Sequence, residues 1–180
     1  MKLTSMLLTV AGFMILTGCD TPTPALLSLE PVATVQDTTF DAALLGAWES
    51  SDDKGTLCII RRDDHNGYQI MVLAGSAPLG FQAQLFRIGN VELLDVIPSE
   101  DSDFRIPGHA IARIWPGADS LRWAFLDSDW LKRQTTPLAA HAADGKTLLL
   151  SPSAAVRAFI SANGENDKSY GNVATWQKMQ

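Results

Sequence analysis

Cysteine and positive charge are scarce in this chain of 180 residues. The only two cysteines, Cys19 and Cys58, exclude zinc sites that are built from four cysteines. The 14 Lys and Arg residues are outnumbered by 20 Asp and Glu residues, which gives a net charge of −6 at pH 7. Nucleic acids and anionic lipid surfaces are bound by clustered Lys and Arg. We therefore expect the chain neither to bind nucleic acid nor to hold a membrane through a basic face.

Sequence motifs of catalysis and metal binding are missing as well. The G-x-S-x-G pattern of serine hydrolases does not occur, since its nearest approximation at residues 75–78 runs into a proline. His65, His109 and His141 lack the spacing of metal ligands, and the acidic residues near 100–103 lack the pattern of a calcium loop. We therefore expect a protein without enzymatic activity, catalytic residues, metal or cofactor.

The longest apolar run, residues 3–15, is too short for a membrane-spanning helix. It follows Lys2 and has the proportions of a signal-peptide core. The run leads into Leu16-Thr17-Gly18-Cys19, which resembles the lipobox of bacterial lipoproteins. The resemblance implies cleavage before Cys19 and attachment of acyl chains, such as palmitate, to its thiol. A secretory signal that happens to contain a cysteine is the alternative.

The lipobox resemblance also implies a location. Acyl chains on Cys19 would anchor the protein in a membrane of the cell envelope, with the folded part facing the periplasm. Asp20 resembles the signal that retains lipoproteins in the inner membrane, which slightly favours that membrane and leaves the outer membrane open. With Cys19 acylated, Cys58 has no partner for a disulfide, and we expect it to be a buried small hydrophobe.

We divide the chain into a signal peptide (1–18), a lipidated N-terminus with a flexible tether (19–39), and a single folded domain (40–180). The tether prediction rests on its prolines, which favour extended conformations. A tether of about 20 residues would reach roughly 60–70 Å. Leu26 and Leu27 are unusually apolar for a linker, which leaves docking on the domain as the alternative.

From Phe40 onward, short apolar runs alternate with turn signals such as Asn66-Gly67. No long helical pattern separates the runs, so most of the strands lack the crossovers that parallel pairing requires. We therefore predict an antiparallel, mostly up-and-down sheet that closes into a barrel and leaves no free edge. The predicted strands are 45–50, 56–62, 68–74, 81–88, 91–97, 109–115, 121–126 and 146–150, with a short additional strand at 138–142.

Two helices are predicted in the last third of the chain. Asp127-Ser128-Asp129 provides the cap of a short helix over residues 130–134. Residues 151–163 are predicted as a C-terminal helix that packs across the barrel. The remaining tail, residues 170–180, is predicted to be amphipathic, with Trp176 among its anchors.

Gly46-Ala47-Trp48 opens the first strand and is similar to the Gly-x-Trp motif of lipocalins, in which the Trp plugs one end of the barrel. A helix after the last strands also fits that family. The chain therefore resembles a lipocalin-like domain from Phe40 to about Asn163. The expected fold is all-β with minor α: an antiparallel up-and-down β-barrel of about eight strands with a C-terminal helix. The resemblance implies that a small apolar molecule binds in the barrel interior.

Trp123, Phe125, Tyr68 and His109 are the candidate ligand-binding residues. The three aromatic residues lie on apolar strand faces, where a role in the core is the alternative. His109 starts a strand at the expected barrel rim, where a hydrogen-bonded structural His is the alternative. Two functions remain open. One is non-enzymatic binding of a small apolar or amphipathic ligand. The other is a structural or interaction role, in which a filled barrel docks on or inhibits another envelope protein.

Overall fold

The computed structural model describes residues 24–75, 77–99, 108–134, 138–143 and 145–179. The predicted signal peptide, Cys19 with its lipobox, and Asp20 lie outside the described residues. The strands are β1 (Leu26–Ser28), β2 (Thr38–Thr39), β3 (Gly46–Ser50), β4 (Leu57–Arg62), β5 (Tyr68–Ala74), β6 (Ala77–Ile88), β7 (Val91–Pro98), β8 (Ala110–Pro116), β9 (Ser120–Phe125), β10 (Ala140–Ala143), β11 (Lys146–Leu149) and β12 (Ala174–Lys178). The α-helices are α1 (Ser128–Arg133) and α2 (Ser153–Asn163), and short 3₁₀ helices cover Ala42–Leu44 and Asp167–Ser169. No helix within these ranges combines the length and apolar character that crossing a membrane requires.

Eight strands form a closed antiparallel barrel, which confirms the predicted all-β, lipocalin-like architecture. Around the ring the order is β3-β4-β5-β6-β7-β8-β9-β12, and β12 pairs with β3 to close it. The strands β3 to β9 follow one another along the chain as an up-and-down meander, as the regular spacing of the apolar runs predicts. The short β2 pairs with the second half of β6.

The strand that closes the barrel differs from the predicted one. The sequence predicts a barrel strand at 146–150, but β11 lies in a separate three-stranded sheet, between β1 and β10. The barrel is closed instead by β12, within the predicted amphipathic tail. The side chains of Ala174 and Trp176 both face the interior core, two positions apart. A strand of five residues is nevertheless too short for this period of two to be read from the sequence. Helix α2 therefore precedes the last barrel strand.

Residues 24–39 are docked on the barrel, which was the alternative to a flexible tether. Strand β1 runs parallel to β11, and Leu26 is buried. Val32 is also buried, and its carbonyl accepts a hydrogen bond of 2.7 Å from Arg157 Nη1. Arg157 forms an ion pair with Asp37 as well. Helix α2 thus holds the N-terminal segment at two points.

Two hydrophobic cores form on opposite sides of the barrel wall. The interior core fills the ring, and its members are cross-strand neighbours, as when Cys58 lies between Trp48 and Val72. The outer core lies between the outer wall of β6 to β9 and the elements that cover it, chiefly α1, α2, β1 and β11. The interior core consists of Leu27, Leu44, Trp48, Cys58, Ile60, Tyr68, Val72, Ala83, Leu85, Leu94, Val96, Ala110, Ala112, Ile114, Leu121 and Trp176. The outer core consists of Leu26, Val32, Phe86, Val91, Leu93, Ile111, Ala124, Leu126, Trp130, Leu131, Leu138, Leu149, Val156, Phe159, Ile160 and Tyr170.

Helix α1 begins where the capping residues predict. The Asp127 carboxylate accepts hydrogen bonds from the amides of Asp129 at 2.7 Å and Trp130 at 2.9 Å, which satisfies two amides of the first turn. Trp130 then packs in the outer core against Phe159 of α2, with ring centroids 5.8 Å apart. The cap therefore positions the aromatic side chain that joins the two helices.

Candidate functional site

One end of the barrel is closed by the segment that leads into β3. The 3₁₀ helix Ala42–Leu44 begins at Asp41, whose side chain accepts a hydrogen bond of 2.8 Å from the Ala43 amide. Leu44 is buried in the interior core, and Trp48 Nε1 donates to its carbonyl at 3.0 Å. Trp48 thus plugs this end, as the lipocalin resemblance implies.

Tyr68, a predicted ligand-binding residue, belongs to the same closed end. Its side chain is fully buried, and its hydroxyl accepts from the Asp41 amide at 2.8 Å and donates to the Asp41 carbonyl at 3.2 Å. The ring stacks on Phe40 with centroids 5.2 Å apart. Burial raises the pKa of Tyr68 above its usual value, so the phenol stays neutral. Tyr68 therefore fastens the closing segment to the barrel.

The other end of the barrel is where β3, β5, β7 and β9 end. Several interior side chains are only partly buried there, so part of the inner wall is accessible from outside. We call this set of residues the barrel mouth. It consists of Ile70, Ala74, Phe81, Trp123, Phe125 and Ala174. The connection from β7 to β8 starts at this end, and its residues 100–107 lie outside the described part of the chain.

Trp123 and Phe125, two of the predicted ligand-binding residues, form one wall of the mouth. Trp123 lies opposite Ile114 and Phe125 lies opposite Ala112, and both partners belong to the interior core. The two aromatic side chains therefore face inward. Their rings meet edge to face, with centroids 5.1 Å apart and an interplanar angle of 80°. The structure thus brings these two residues together on the accessible inner wall.

The facing wall of the mouth is contributed by β5 and β6. Strand β5 is four positions from β9 in either direction around the ring of eight strands, so the two strands are diametrically opposed. Ile70 and Ala74 are the partly buried interior residues of β5. Phe81 of β6 is paired with Ile70 and adds a third aromatic ring. The mouth is therefore apolar on both sides, which suits an apolar ligand.

Strand β1 covers the β8 side of the mouth. Ser28 and His109 exchange two backbone hydrogen bonds of 2.8 Å just before β8 begins. The neighbouring Leu27 is buried in the interior core. A Cβ added at Gly108 would come within 3.1 Å of the Leu27 side chain, so the glycine leaves the space that Leu27 occupies. The accessible part of the mouth is thereby confined to β5, β6, β9 and β12.

Trp176 of β12 places an unpaired hydrogen-bond donor inside the barrel. Its side chain is 4% exposed and belongs to the interior core. Its Nε1 has no hydrogen-bond partner among the described residues. Trp176 lies one interior position deeper than Ala174, which is paired with Trp123. The donor is therefore buried next to the mouth.

His109, the fourth predicted ligand-binding residue, lies on the outer side of the barrel wall. Its Nδ1 is 2.7 Å from Asp95 Oδ1, and Asp95 is buried. The other carboxylate oxygen, Oδ2, accepts from the amides of Val32 at 2.7 Å and Ala33 at 3.0 Å. This arrangement fits the alternative interpretation of His109 as a hydrogen-bonded structural residue. The Asp95 carboxylate joins β7 to the start of β8 and to the N-terminal segment.

Two potentially reactive side chains, those of Ser28 and Cys58, are buried in the structure. Ser28, which is paired with His109 through the backbone, donates its hydroxyl to the Glu30 carbonyl at 2.8 Å. Cys58 is buried, as predicted, and burial raises the pKa of its thiol to about 12. No three His, Cys, Asp or Glu side chains of the described ranges form a group that could hold a metal ion.

The barrel wall that the helices leave uncovered carries an exposed apolar row, which we call the outer strip. Ala47, Ile59 and Met71 are successive cross-strand neighbours on β3, β4 and β5. Met179 lies beside them, because its amide donates to the Ala47 carbonyl at 2.9 Å. Met71 is 46% exposed and Met179 is 48% exposed. The outer strip is therefore an apolar surface that solvent reaches.

Sequence reasoning misses three residues that the structure makes central. Trp176 is predicted only as a tail anchor, because a strand of five residues is too short for its period to be read from the sequence. Phe81 is predicted to lie in a strand and not at a site, because the sequence does not show where a barrel opens. Asp95 interrupts the apolar run of β7, and a charged residue in such a run signals a buried partner.

Comparison with known proteins finds no match: no protein-family model, no curated protein and no solved structure is significantly similar to this chain. The lipocalin-like architecture therefore rests on the closed ring of strands and on the plug formed by Trp48. The functional argument rests on the accessible inner wall of the mouth.

Proposed function

We propose that this protein is a non-enzymatic lipoprotein of the cell envelope whose barrel binds a small apolar or amphipathic ligand through its mouth. The observation that supports this function is the asymmetry of the interior. Large side chains fill the closed end around Trp48, whereas Trp123 and Phe125 remain partly accessible at the other end. Apolar surface inside a concave site is typical of ligand pockets.

The filled closed end limits the size of the ligand. Trp48, Tyr68 and Trp176 are buried in the interior core, so a ligand is confined to the mouth. A molecule with one aromatic ring would bury roughly 150 Å² of apolar surface, which contributes about 4 kcal/mol. That free energy corresponds to a Kd on the order of 1 mM.

The membrane anchor in this proposal is the lipobox resemblance at Cys19. The acyl chains would hold the protein in the envelope, and the acidic domain would stay in the periplasm. Asp20 favours the inner membrane slightly. Globomycin, which inhibits the lipoprotein signal peptidase, should cause the unprocessed precursor to accumulate. Replacement of Cys19 by Ser should abolish labelling by radioactive palmitate, and continued labelling would overturn this part of the proposal.

The ligand-binding function is tested with α-methylstyrene, a neutral apolar probe, and the full chain kept in solution by an amphipathic polymer. Spectra of the ¹⁵N-labelled indole groups should show a saturable shift of the Trp123 signal at millimolar probe concentration. Trp123→Phe identifies that signal by its loss. Trp115 is the matched control, because it packs against the outer core and not inside the barrel. Absence of a saturable shift at Trp123, or an equal shift at Trp115, would overturn the proposal.

A second candidate function is supported by the outer strip. Its apolar side chains are exposed on the wall that helices α1 and α2 leave uncovered, which fits docking on or inhibition of another envelope protein. A photo-crosslinking residue at position 71 should then yield one specific adduct in the envelope, and Met179→Asp should remove it. Gln69, exposed on the same face of β5, is the matched control position. Equal adducts at both positions would contradict a specific interface.

A further inference from the structure

The Trp176 indole is the one buried side-chain donor without a partner in the described part of the chain. A buried N–H group that lacks an acceptor destabilises the folded state. The majority of buried polar atoms in folded proteins have a partner in the protein or in ordered water. The unpaired Nε1 is therefore a donor whose acceptor the described residues do not provide.

Trp48 shows what the same group does where a partner is present. Both tryptophans belong to the interior core, and Trp48 Nε1 donates to the Leu44 carbonyl at 3.0 Å. That carbonyl belongs to the segment that closes the barrel. Among the described residues, no carbonyl accepts a hydrogen bond from Trp176 Nε1 in the same way. Its nearest interior neighbour on β12 is Ala174 of the mouth.

The neighbouring strands do not provide a charged group for Trp176. Its cross-strand partners are Ser50 and Leu121, and Ser50 Oγ accepts hydrogen bonds from the amides of Asp52 and Asp53 at 3.3 Å and 3.1 Å. The other members of the interior core are apolar or aromatic side chains, apart from the neutral Cys58 thiol. A carboxylate ligand would lose its hydration there without gaining a cation from the described residues of the interior core, which is unfavourable. A neutral acceptor is compatible with these surroundings.

We propose that the ligand of the mouth carries a neutral carbonyl oxygen, as in a ketone or an ester, which accepts a hydrogen bond from Trp176 Nε1. This inference rests on the proposed ligand-binding function and specifies the ligand class. The apolar part of the ligand lies between Trp123 with Phe125 on one wall and Ile70 on the other. The carbonyl enters first and reaches the indole one position below Ala174.

The test compares two probes of nearly the same shape, acetophenone and α-methylstyrene. Acetophenone has a carbonyl oxygen where α-methylstyrene has a CH₂ group. The full chain, its Trp176→Phe variant and the matched Trp48→Phe variant are titrated with each probe. One neutral hydrogen bond should make the affinity ratio of acetophenone to α-methylstyrene about 3–10 times larger in the full chain than in Trp176→Phe. Trp48→Phe should show the same affinity ratio as the protein without substitutions, because the Trp48 indole already donates to the Leu44 carbonyl and is not available to the probe.

Indole spectra provide a second readout that does not depend on the stability of the Trp176→Phe variant. Acetophenone should shift the resonance of the Trp176 indole N–H proton downfield, as a new hydrogen bond does. α-Methylstyrene, which has no acceptor, should cause no such downfield shift. Saturable binding of both probes with equal ratios in all three proteins would overturn the carbonyl inference and leave the binding function intact. Absence of binding by both probes would overturn the binding function itself.

Discussion

The Nδ1 atom of His109 lies 2.7 Å from Oδ1 of Asp95, and the second oxygen of that carboxylate holds the amides of the docked N-terminal segment. The buried carboxylate thus bonds to three groups on two other parts of the chain, His109 and the N-terminal segment. Sequence reasoning predicts His109 as a ligand contact at the barrel rim. In the structure its Nδ1 contacts Asp95, the carboxylate that fixes the N-terminal segment.

Replacement of Asp95 by Asn should destabilise the protein by about 2–4 kcal/mol, because an amide lacks the second acceptor and the charge that the buried donors require. Denaturant unfolding measures the change, and hydrogen exchange should show faster exchange at Val32 and Ala33. Glu92→Gln is the control on the same strand, since Glu92 forms a more exposed ion pair with Arg87. That variant should change stability by roughly 0.5 kcal/mol or less. Equal stability of the two variants would contradict the assigned role of Asp95.

Tyr68→Phe should lower stability by about 1–2 kcal/mol and leave probe binding unchanged. The variant keeps the ring that stacks on Phe40 but leaves the partly buried Asp41 amide without its acceptor. Thermal unfolding and α-methylstyrene titration measure the two effects separately. A weaker affinity for the probe would show that Tyr68 lines the site, as the sequence predicts, and not only the closed end.

The buried thiol predicts a specific dependence of stability on pH. Burial raises the pKa of Cys58 from 9.0 to about 12, so the unfolded chain releases this proton at a lower pH than the folded chain does. The contribution of Cys58 to stability is therefore complete below pH 9 and declines as pH rises from 9 toward 12. The slope is at most about 1.4 kcal/mol per pH unit.

Cys58→Ala is the variant that isolates this slope. Its free energy of unfolding should decrease less between pH 9 and pH 10 than that of the unchanged chain. Tyr68 and Tyr170, whose pKa values are also raised, titrate in both proteins, and their contributions cancel in the difference. Parallel pH profiles of the two proteins would contradict the burial of the thiol.

Removal of β12 should prevent the barrel from closing. A chain that ends at Gly171 would expose the edges of β3 and β9, whose backbone groups pair with β12 in the folded protein. We expect loss of cooperative unfolding and a tendency to aggregate through these edges. A chain that ends at Lys178 keeps the whole strand and serves as the control. Circular dichroism and light scattering measure both outcomes, and a soluble, cooperatively folded shorter chain would show that β12 is dispensable.

The sequence predicts most of the barrel strands because the patterns that identify a strand or a turn lie within a few consecutive residues. Period-two runs of six or more residues and turn signals such as Asn66-Gly67 identify seven of the eight barrel strands. The same alternation predicts that Trp123 and Phe125 share a face, and the structure places that face on the inner wall. The cap at Asp127 is local as well, and it is confirmed.

The parts that sequence reasoning misses depend on contacts between distant residues. Strand β12 is recognisable only through its partners β3 and β9, and β1 only through its partner β11. The partnership of His109 with Asp95 crosses from one strand to the next and excludes His109 from the interior. Leu44 and Trp48 close one end of the barrel, whereas Leu27 covers only the β8 side of the other end. None of these relations has a period or a motif.

The docking of β1 has a consequence for access to the barrel. The six residues from Asp20 to Ala25 separate the proposed acyl site from the first residue of β1, a reach of roughly 25 Å even when fully extended. Because β1 lies beside the mouth, lipid on Cys19 would hold that end of the barrel close to the bilayer surface. The molecules that reach it first would be those that accumulate at the lipid–water interface, and their concentration there would govern occupancy more than their concentration in the periplasmic fluid.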